Sequence, residues 1–591
     1  MMWSVFANLK EEESRTVISE ANEMLNGYYR FNGIWDMEPF LEPKENKHTS
    51  WNLSYKGDKE WTYMFTRMGY LYKFILATEL TDEPKYIRHG YALFCRWYKD
   101  NWIFLGNKKG RLLRKFIKRN NLGHRTLDVA IMLTNIVDYV LYCKRHDYIT
   151  KKEYKKSLQI INEGIKFILS NSADYTKEFI NWGILENGSI VYCSLVLGID
   201  ESYKIAYSRL KKQVHNQIRS DGSQIESSPM YLVQILLVLL KILKEAKDNR
   251  CNDLVIPTLQ GCAYIANIAK LDNTIPNIGD SDLTDISDLM IIASQVLHQD
   301  SFLQNVTNDL SPEFCIKYKL CRDSTKTEEK AQDYYDFVNE YRYQTILKSK
   351  REDHYLLCSN YPYIAAGHKH YDYLSVLYSE FGKDVLIDLG RYSYKDDSQR
   401  QFYKGPSAHN TICVLDHPYY KYINAWKEEQ QIECWENRII QEKYWTNIRM
   451  KIVLGFSEIT IIRYVTYLKE IGLIITDRIT SKTDHKYQAF FNIGCDFRLS
   501  RGEKDSIVFC DNFDNYLYYT NDIKKPVEIN QVNYSKKYNE KTTVFQLQAI
   551  FTQSIVTHFF SKHILNLKTD CSENGFTYSL SPNEFNIHIA Y

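Results

Sequence analysis

The sequence predicts a multidomain α+β protein, a large helical domain followed by a large antiparallel β domain. Three observations carry this. Apolar residues recur at helical spacing up to about residue 320. Beyond it, short β-branched and aromatic runs broken by Gly or Asp take over. Between the two lies a charged segment poor in apolar residues, Cys321-Arg-Asp-Ser-Thr-Lys-Thr-Glu-Glu-Lys330, which reads as an exposed connection. We therefore divide the chain into residues 1–325 and 326–591. At 591 residues it exceeds the size that a single core serves.

In the first half Trp61, Met64, Phe65, Met68, Leu71, Tyr72, Ile75 and Leu76 form one helical stripe, and Leu127, Ile131, Ile136, Val137, Val140 and Leu141 form another. The pattern recurs at 154–169, 202–218, 231–246 and 259–269, which predicts helix pairs wrapped in a ring or a stacked bundle. No fixed-period repeat accompanies it, which disfavours a solenoid of identical units. In the second half, 374–378, 385–387, 459–467 and 473–479 read as strands of an antiparallel sandwich. Phe381-Gly-Lys-Asp384 reads as a hairpin turn.

The 75 Lys plus Arg nearly cancel 73 Asp plus Glu, so the basic excess expected of a nucleic-acid-binding protein is missing. Thirteen scattered cysteines without a Cys-x-x-Cys pair indicate reduced thiols rather than a disulfide framework or a thiolate zinc site. The amino terminus has neither a basic n-region nor a long apolar h-region, which predicts a cytoplasmic protein, or a periplasmic or secreted one if a signal has been removed. The longest uninterrupted apolar run, Ile235 to Leu240, falls far short of the roughly twenty residues of a membrane span, so no membrane partner is expected. The 47 tyrosines suit sugar stacking and cores alike.

Chemistry concentrates between Gly367 and Asn410, where Gly-His-Lys-His, Ile-Asp-Leu-Gly-Arg-Tyr and Ala-His-Asn-Thr succeed one another. His370, Asp388 and His409 together suit one divalent metal, Zn²⁺ or Mn²⁺, leaving His368 for chemistry. Such a site can brace a loop or activate a ligand. On an extended strand His368 and His370 would share one face, while a loop could aim them at different targets; the turn at Phe381 would bring Asp388 back beside them.

In these motifs, His368-Lys-His-Tyr-Asp372, Asp388-Leu-Gly390 and Ala408-His-Asn-Thr411, the chain resembles the heparinase II/III-like polysaccharide lyases. The resemblance extends to Ser220-Asp-Gly-Ser-Gln-Ile-Glu-Ser-Ser-Pro-Met-Tyr231, similar to the family segment that holds the catalytic tyrosine. It continues at Trp35-Asp-Met-Glu38, Lys59-Glu-Trp61, Arg125-Thr-Leu-Asp128 and Gly279-Asp-Ser-Asp282. It implies an (α/α) toroid followed by an antiparallel β-sandwich.

It also implies β-elimination at C4 of a uronic acid in an acidic polysaccharide or oligosaccharide. Glycosaminoglycans such as heparan sulfate, hyaluronan or chondroitin come ahead of alginate, and the product carries a 4,5-unsaturated uronate. Tyr231 would be the base and the acid, while Asn181 and His368 would neutralise the substrate carboxylate so that the C5 proton becomes acidic. An ordinary Tyr pKa of about 10 demands nearby positive charge or concerted transfer. Where several family members have a histidine directly after the Asn, this chain has Trp182, which throws more weight onto Tyr231.

Glu60, Trp61, His124, Arg125, Glu226 and Tyr371 are the candidate sugar contacts, and His370, Asp388 and His409 would hold a structural metal. Two alternatives stand beside this. One is a toroidal glycoside hydrolase drawing paired carboxylates from Glu60, Glu226, Asp280 and Asp282. The other is a carbohydrate-binding protein without turnover.

Overall fold

The structure is a computed structural model. It describes residues 9–590 other than 56, 106–124, 173–179, 248, 307, 321–336, 350–352, 365–366, 417–418, 456–457, 503–506, 524–525, 573–574 and 582–584. The charged segment expected to join the halves lies outside the described residues. Two compact units emerge. The first comprises Met1–Ile225, Met230–Ala266 and Thr284–Lys330; the second comprises Glu226–Pro229, Asn267–Leu283 and Ala331–Tyr591. The second unit thus takes in two short segments from the helical half of the sequence, and one of them carries the motif Gly279-Asp-Ser-Asp282.

The first unit is built of helices packed on helices. The stripe that begins at Trp61 is split into Glu60–Arg67 and Leu71–Thr81, because Met68 adopts a left-handed conformation (φ 55°) and ends the first helix. Thr126–Arg145 is long and apolar enough to cross a membrane, yet 78% of its apolar window is buried, and it packs on Glu60–Arg67, Lys151–Asn171 and Asn181–Leu197. It is buried on most sides, which accounts for its apolar composition. Lys151–Asn171 starts with a capping box in which Thr150 and Glu153 satisfy each other's backbone N–H groups. Pro229 opens Pro229–Glu245 where its missing N–H costs nothing.

The second unit is antiparallel β. Among the described residues it contains a nine-stranded, a five-stranded, a four-stranded and a three-stranded sheet. A common core of Leu356, Val376, Leu386, Ile461, Ile475, Phe491, Leu547 and their neighbours lies between the larger ones. The expected turn is present: Ser375–Glu380 pairs with Lys383–Leu386, and the two residues between them, Phe381 and Gly382, both have positive φ (59° and 67°).

Two devices fix the segments that carry the histidines. Arg463 and Asp477 face each other on paired strands, fully buried, with two 2.8 Å hydrogen bonds. The guanidinium also donates to the carbonyls of Leu374 (2.9 Å) and Asn410 (2.8 Å). Asn410 donates to the carbonyls of Val376 (2.7 Å) and Ile387 (3.0 Å) and accepts from the Asn492 N–H (2.7 Å). The asparagine of Ala408-His-Asn-Thr411 is therefore a backbone clamp that sets where His409 stands. No disulfide joins the described cysteines.

Candidate functional site

In the sheet unit the site is organised by Asp280. His368 Nδ1 lies 2.9 Å from its Oδ2 and His370 Nε2 lies 2.8 Å from its Oδ1, while Arg400 donates to both oxygens at 2.5 and 2.8 Å. Burial alone would raise the Asp280 pKa, but the Arg400 charge and the bonds from His368 and His370 outweigh it and hold the carboxyl well below its usual range. Burial pushes His370 down to about 3 against the pull of Asp280, so this ring is neutral at neutral pH. Residues around His368 and His370 form an irregular segment, the loop alternative, and both imidazoles reach one carboxylate.

The second aspartate of that motif, Asp282, accepts two 2.8 Å bonds from Arg391. Gly279 adopts φ +56°, and a Cβ there would stand 2.8 Å from the His368 carbonyl oxygen and 3.1 Å from that of Ser227. Glycine thus permits the close approach of this turn to the histidine segment. Ser228 Oγ lies 2.9 Å from Ser281 Oγ, which fixes the segment Glu226–Pro229. Glu226 itself is buried. Tyr231 follows two residues after Pro229, in the first turn of Pro229–Glu245, and is also buried.

Asp388 stands beside His409, as the sequence expects. Its Oδ2 lies 2.6 Å from His409 Nδ1 and its Oδ1 accepts the Gly390 N–H at 2.9 Å, so both oxygens are engaged. Among the described residues no group of three His, Cys, Asp or Glu side chains is placed to hold a metal ion. In this arrangement the Asp388 carboxylate orients the His409 ring. Asp280 engages His370 through Nε2 and Asp388 engages His409 through Nδ1, which leaves the opposite nitrogen of each ring. These two, His370 Nδ1 and His409 Nε2, are buried without a hydrogen-bond partner, on rings 5.4 Å apart.

In the helical unit a second charged cluster forms. Arg125 chelates Asp128 through Nε (2.6 Å) and a terminal nitrogen (3.0 Å). Arg67 donates to the same carboxylate (2.9 Å) and to Glu38 (3.0 Å). Burial, reinforced by Glu38 and opposed by Arg125 and Arg67, pushes Glu60 up to about 8. It is thus mostly protonated at neutral pH. The Arg125 guanidinium lies 3.5 Å from the Tyr63 ring centroid and 5.2 Å from that of Trp182, beside Asn181 at the start of Asn181–Leu197. Trp182, the departure from the family pattern, thus flanks the arginine.

Two expected sugar contacts are corrected. Trp61 is 0% exposed, stacked on Phe65 at 5.4 Å with Phe31 and Tyr55 on its other sides, so no face is left for a sugar. Tyr371 is 3% exposed and packs edge-on against Tyr373 and Tyr420. Both are core aromatics. His124 lies outside the described residues. The sequence reading missed Arg400, on the short helix Ser398–Lys404, and Trp426, which is 43% exposed with its ring 5.8 Å from that of His368. An aromatic in a hairpin tip, where burial gains little, was the available signal for Trp426.

Comparison with known proteins follows the same lines. No curated protein matches the chain. Among solved structures, a crystal structure of heparinase III superposes with a TM-score of 0.77 at 14% identity, covering 99% of this chain and 92% of that one. A second heparinase III gives 0.66 at 14%, with 99% and 90% covered, and the heparan sulfate lyase HepC from Pedobacter heparinus gives 0.62 at 14%, again with 99% and 90%. These establish the fold, a helical region followed by an antiparallel sheet-rich domain. The family model for the heparinase II/III N-terminus matches residues 6–299, and that for the heparinase II/III-like C-terminal region matches 340–567. The chain belongs to the heparinase II/III-like family.

Proposed function

We propose that the protein is a polysaccharide lyase that cleaves a uronic-acid-containing glycosaminoglycan, such as heparan sulfate, hyaluronan or chondroitin, by β-elimination. The observation that carries this reading is the pairing of His368 with the ionised Asp280, which holds the imidazole in one orientation. His368 and Asn181 stabilise the charge that builds on the uronate carboxylate as the C5 proton leaves. Tyr231 takes that proton and returns one to the O4 leaving group, so the C5–H and C4–O bonds break and a C4=C5 double bond forms. Arg125, half-buried over Tyr63, suits an acidic sugar at the helical unit.

His370 Nδ1 and His409 Nε2 are the atoms we assign to one divalent ion, Zn²⁺ or Mn²⁺, with Asp388 orienting His409. When bound, the ion would brace the segment that presents His368.

The glycosidase alternative loses two of its carboxylates. Asp280 and Asp282 are each locked by an arginine on both oxygens, which leaves neither able to serve as a general acid or to position water. Digestion of the three glycosaminoglycans, followed by mass spectrometry, tests the proposal. Products carrying the unsaturated uronate are expected; products that have gained solvent oxygen at a saturated reducing end would replace a lyase with a hydrolase.

A further inference from the structure

Three tethers, all within the sheet unit, converge on one half-exposed indole. Trp426 sits between the paired strands Tyr420–Asn424 and Lys427–Gln430, at a tip where an apolar side chain gains little from burial. The tip is nevertheless held from beneath. Arg400, itself fully buried, donates to the Ala425 carbonyl through two nitrogens (3.2 and 3.3 Å) while its other bonds go to Asp280 and to the Gly367 carbonyl (3.4 Å). Tyr394 lies under the indole at 4.6 Å and 35°, and its hydroxyl accepts a 2.7 Å bond from Arg391, whose partner is Asp282. Lys404 and Glu428, both fully buried, form a 2.7 Å ion pair two residues beyond Trp426, and Lys404 also donates to the Gly367 carbonyl beside His368.

Both aspartates of the Gly279-Asp-Ser-Asp282 motif therefore act through an arginine on the bed of Trp426, and the first of them also holds His368. Burying six charged side chains, Arg400, Asp280, Arg391, Asp282, Lys404 and Glu428, beneath a surface tip carries a desolvation cost that ordinary hairpin packing does not require. The product of that construction is an indole set perpendicular to the His368 imidazole (88°), tilted over Tyr394 and open for the remaining 43% of its surface.

We propose that Trp426 is a sugar-stacking platform, a specificity-determining residue that seats a pyranose ring of the glycosaminoglycan next to His368. This deepens the lyase reading and rests on it for the substrate class. Aromatic faces hold the C–H side of a pyranose while its hydroxyls stay in water, so a tilted, half-open indole beside a carboxylate-binding imidazole matches an alternating polymer of uronate and amino sugar.

The test uses full-length Tyr231→Phe, in which substrate is not consumed, with hexasaccharides of heparan sulfate, hyaluronan and chondroitin in a calorimeter. Adding Trp426→Ala is expected to weaken binding of the preferred hexasaccharide about five- to tenfold, and Trp426→Phe to retain most of it. Trp426→Leu keeps apolar bulk without a π face and should behave like Ala, which separates stacking from loss of the hairpin. In the active background, Trp426→Ala should raise KM more than it lowers kcat. Affinities of the Ala and Leu proteins within about twofold of the parent, or no binding of any hexasaccharide, would overturn the proposal. Unsaturated product from the wild type is measured separately. Its absence alongside Trp426-dependent binding would sink the lyase reading and leave the platform, and its presence with Trp426-independent binding would do the reverse.

Discussion

His368 Nδ1 stands 2.9 Å from Asp280 Oδ2, although 88 residues of chain separate them. That carboxylate also neutralises Arg400, so it orients the imidazole and compensates a buried guanidinium at once. Replacing it by Asp280→Asn keeps the shape and removes the charge. We expect a stability loss of about 3–5 kcal/mol in urea denaturation, because Arg400 is left buried without a counter-charge. The double variant with Arg400→Met should recover part of it. A loss below about 1 kcal/mol would mean that the pair contributes far less than its burial implies.

Glu60 gives a pH signature in the other unit. Its carboxyl titrates near the ordinary 4.5 when unfolded and at about 8 when folded. Between those values the unfolded chain binds fewer protons than the folded one, so Glu60 lowers stability progressively as pH rises through the window and has no further effect above it. Glu60→Gln should flatten the fall in thermal midpoint between pH 5 and 8, a window of about three units. An unchanged slope would show that Glu60 is ionised in the folded protein.

Gly390 has φ +81°, and a Cβ there would stand 2.2 Å from the Ser535 carbonyl oxygen. Gly390→Ala is thus strained by backbone and by contact together. It should cost about 2 kcal/mol or more and disturb the Gly390 N–H bond that holds Asp388. Urea midpoints equal to wild type would contradict this.

The metal assignment predicts about one equivalent of zinc or manganese per chain by mass spectrometric metal analysis, lost in His370→Ala and in His409→Ala. Asp388→Asn should weaken retention about 10- to 100-fold rather than abolish it, since Asp388 acts on His409 Nδ1. Metal that persists in the double histidine variant would remove these two nitrogens from the site.

The change from helical to strand periodicity was legible because buried faces repeat along the chain, and the two-residue turn at Phe381 and Gly382 was legible from local composition. What periodicity does not encode is a partner far away in sequence. Nothing local marks Asp280 as the residue beneath His368 or Arg400 as its counter-ion, and the residue types at Asp388 and His409 fit a direct ligand pair as well as the orienting pair that formed. Trp61 and Tyr371 failed as sugar contacts for a related reason. Aromatic rings look alike in sequence whether a core or a ligand covers them, and only the neighbours Phe65 and Tyr420 decide.

Assigning elimination to Tyr231 is the central claim, and ultraviolet absorbance of the new C4=C5 double bond tests it most directly. Wild type should generate the chromophore from at least one glycosaminoglycan. Tyr231→Phe should reduce the rate by about a thousandfold or more while still binding the same polymer. A Tyr231→Phe enzyme that forms the chromophore at near-wild-type rate would contradict the account.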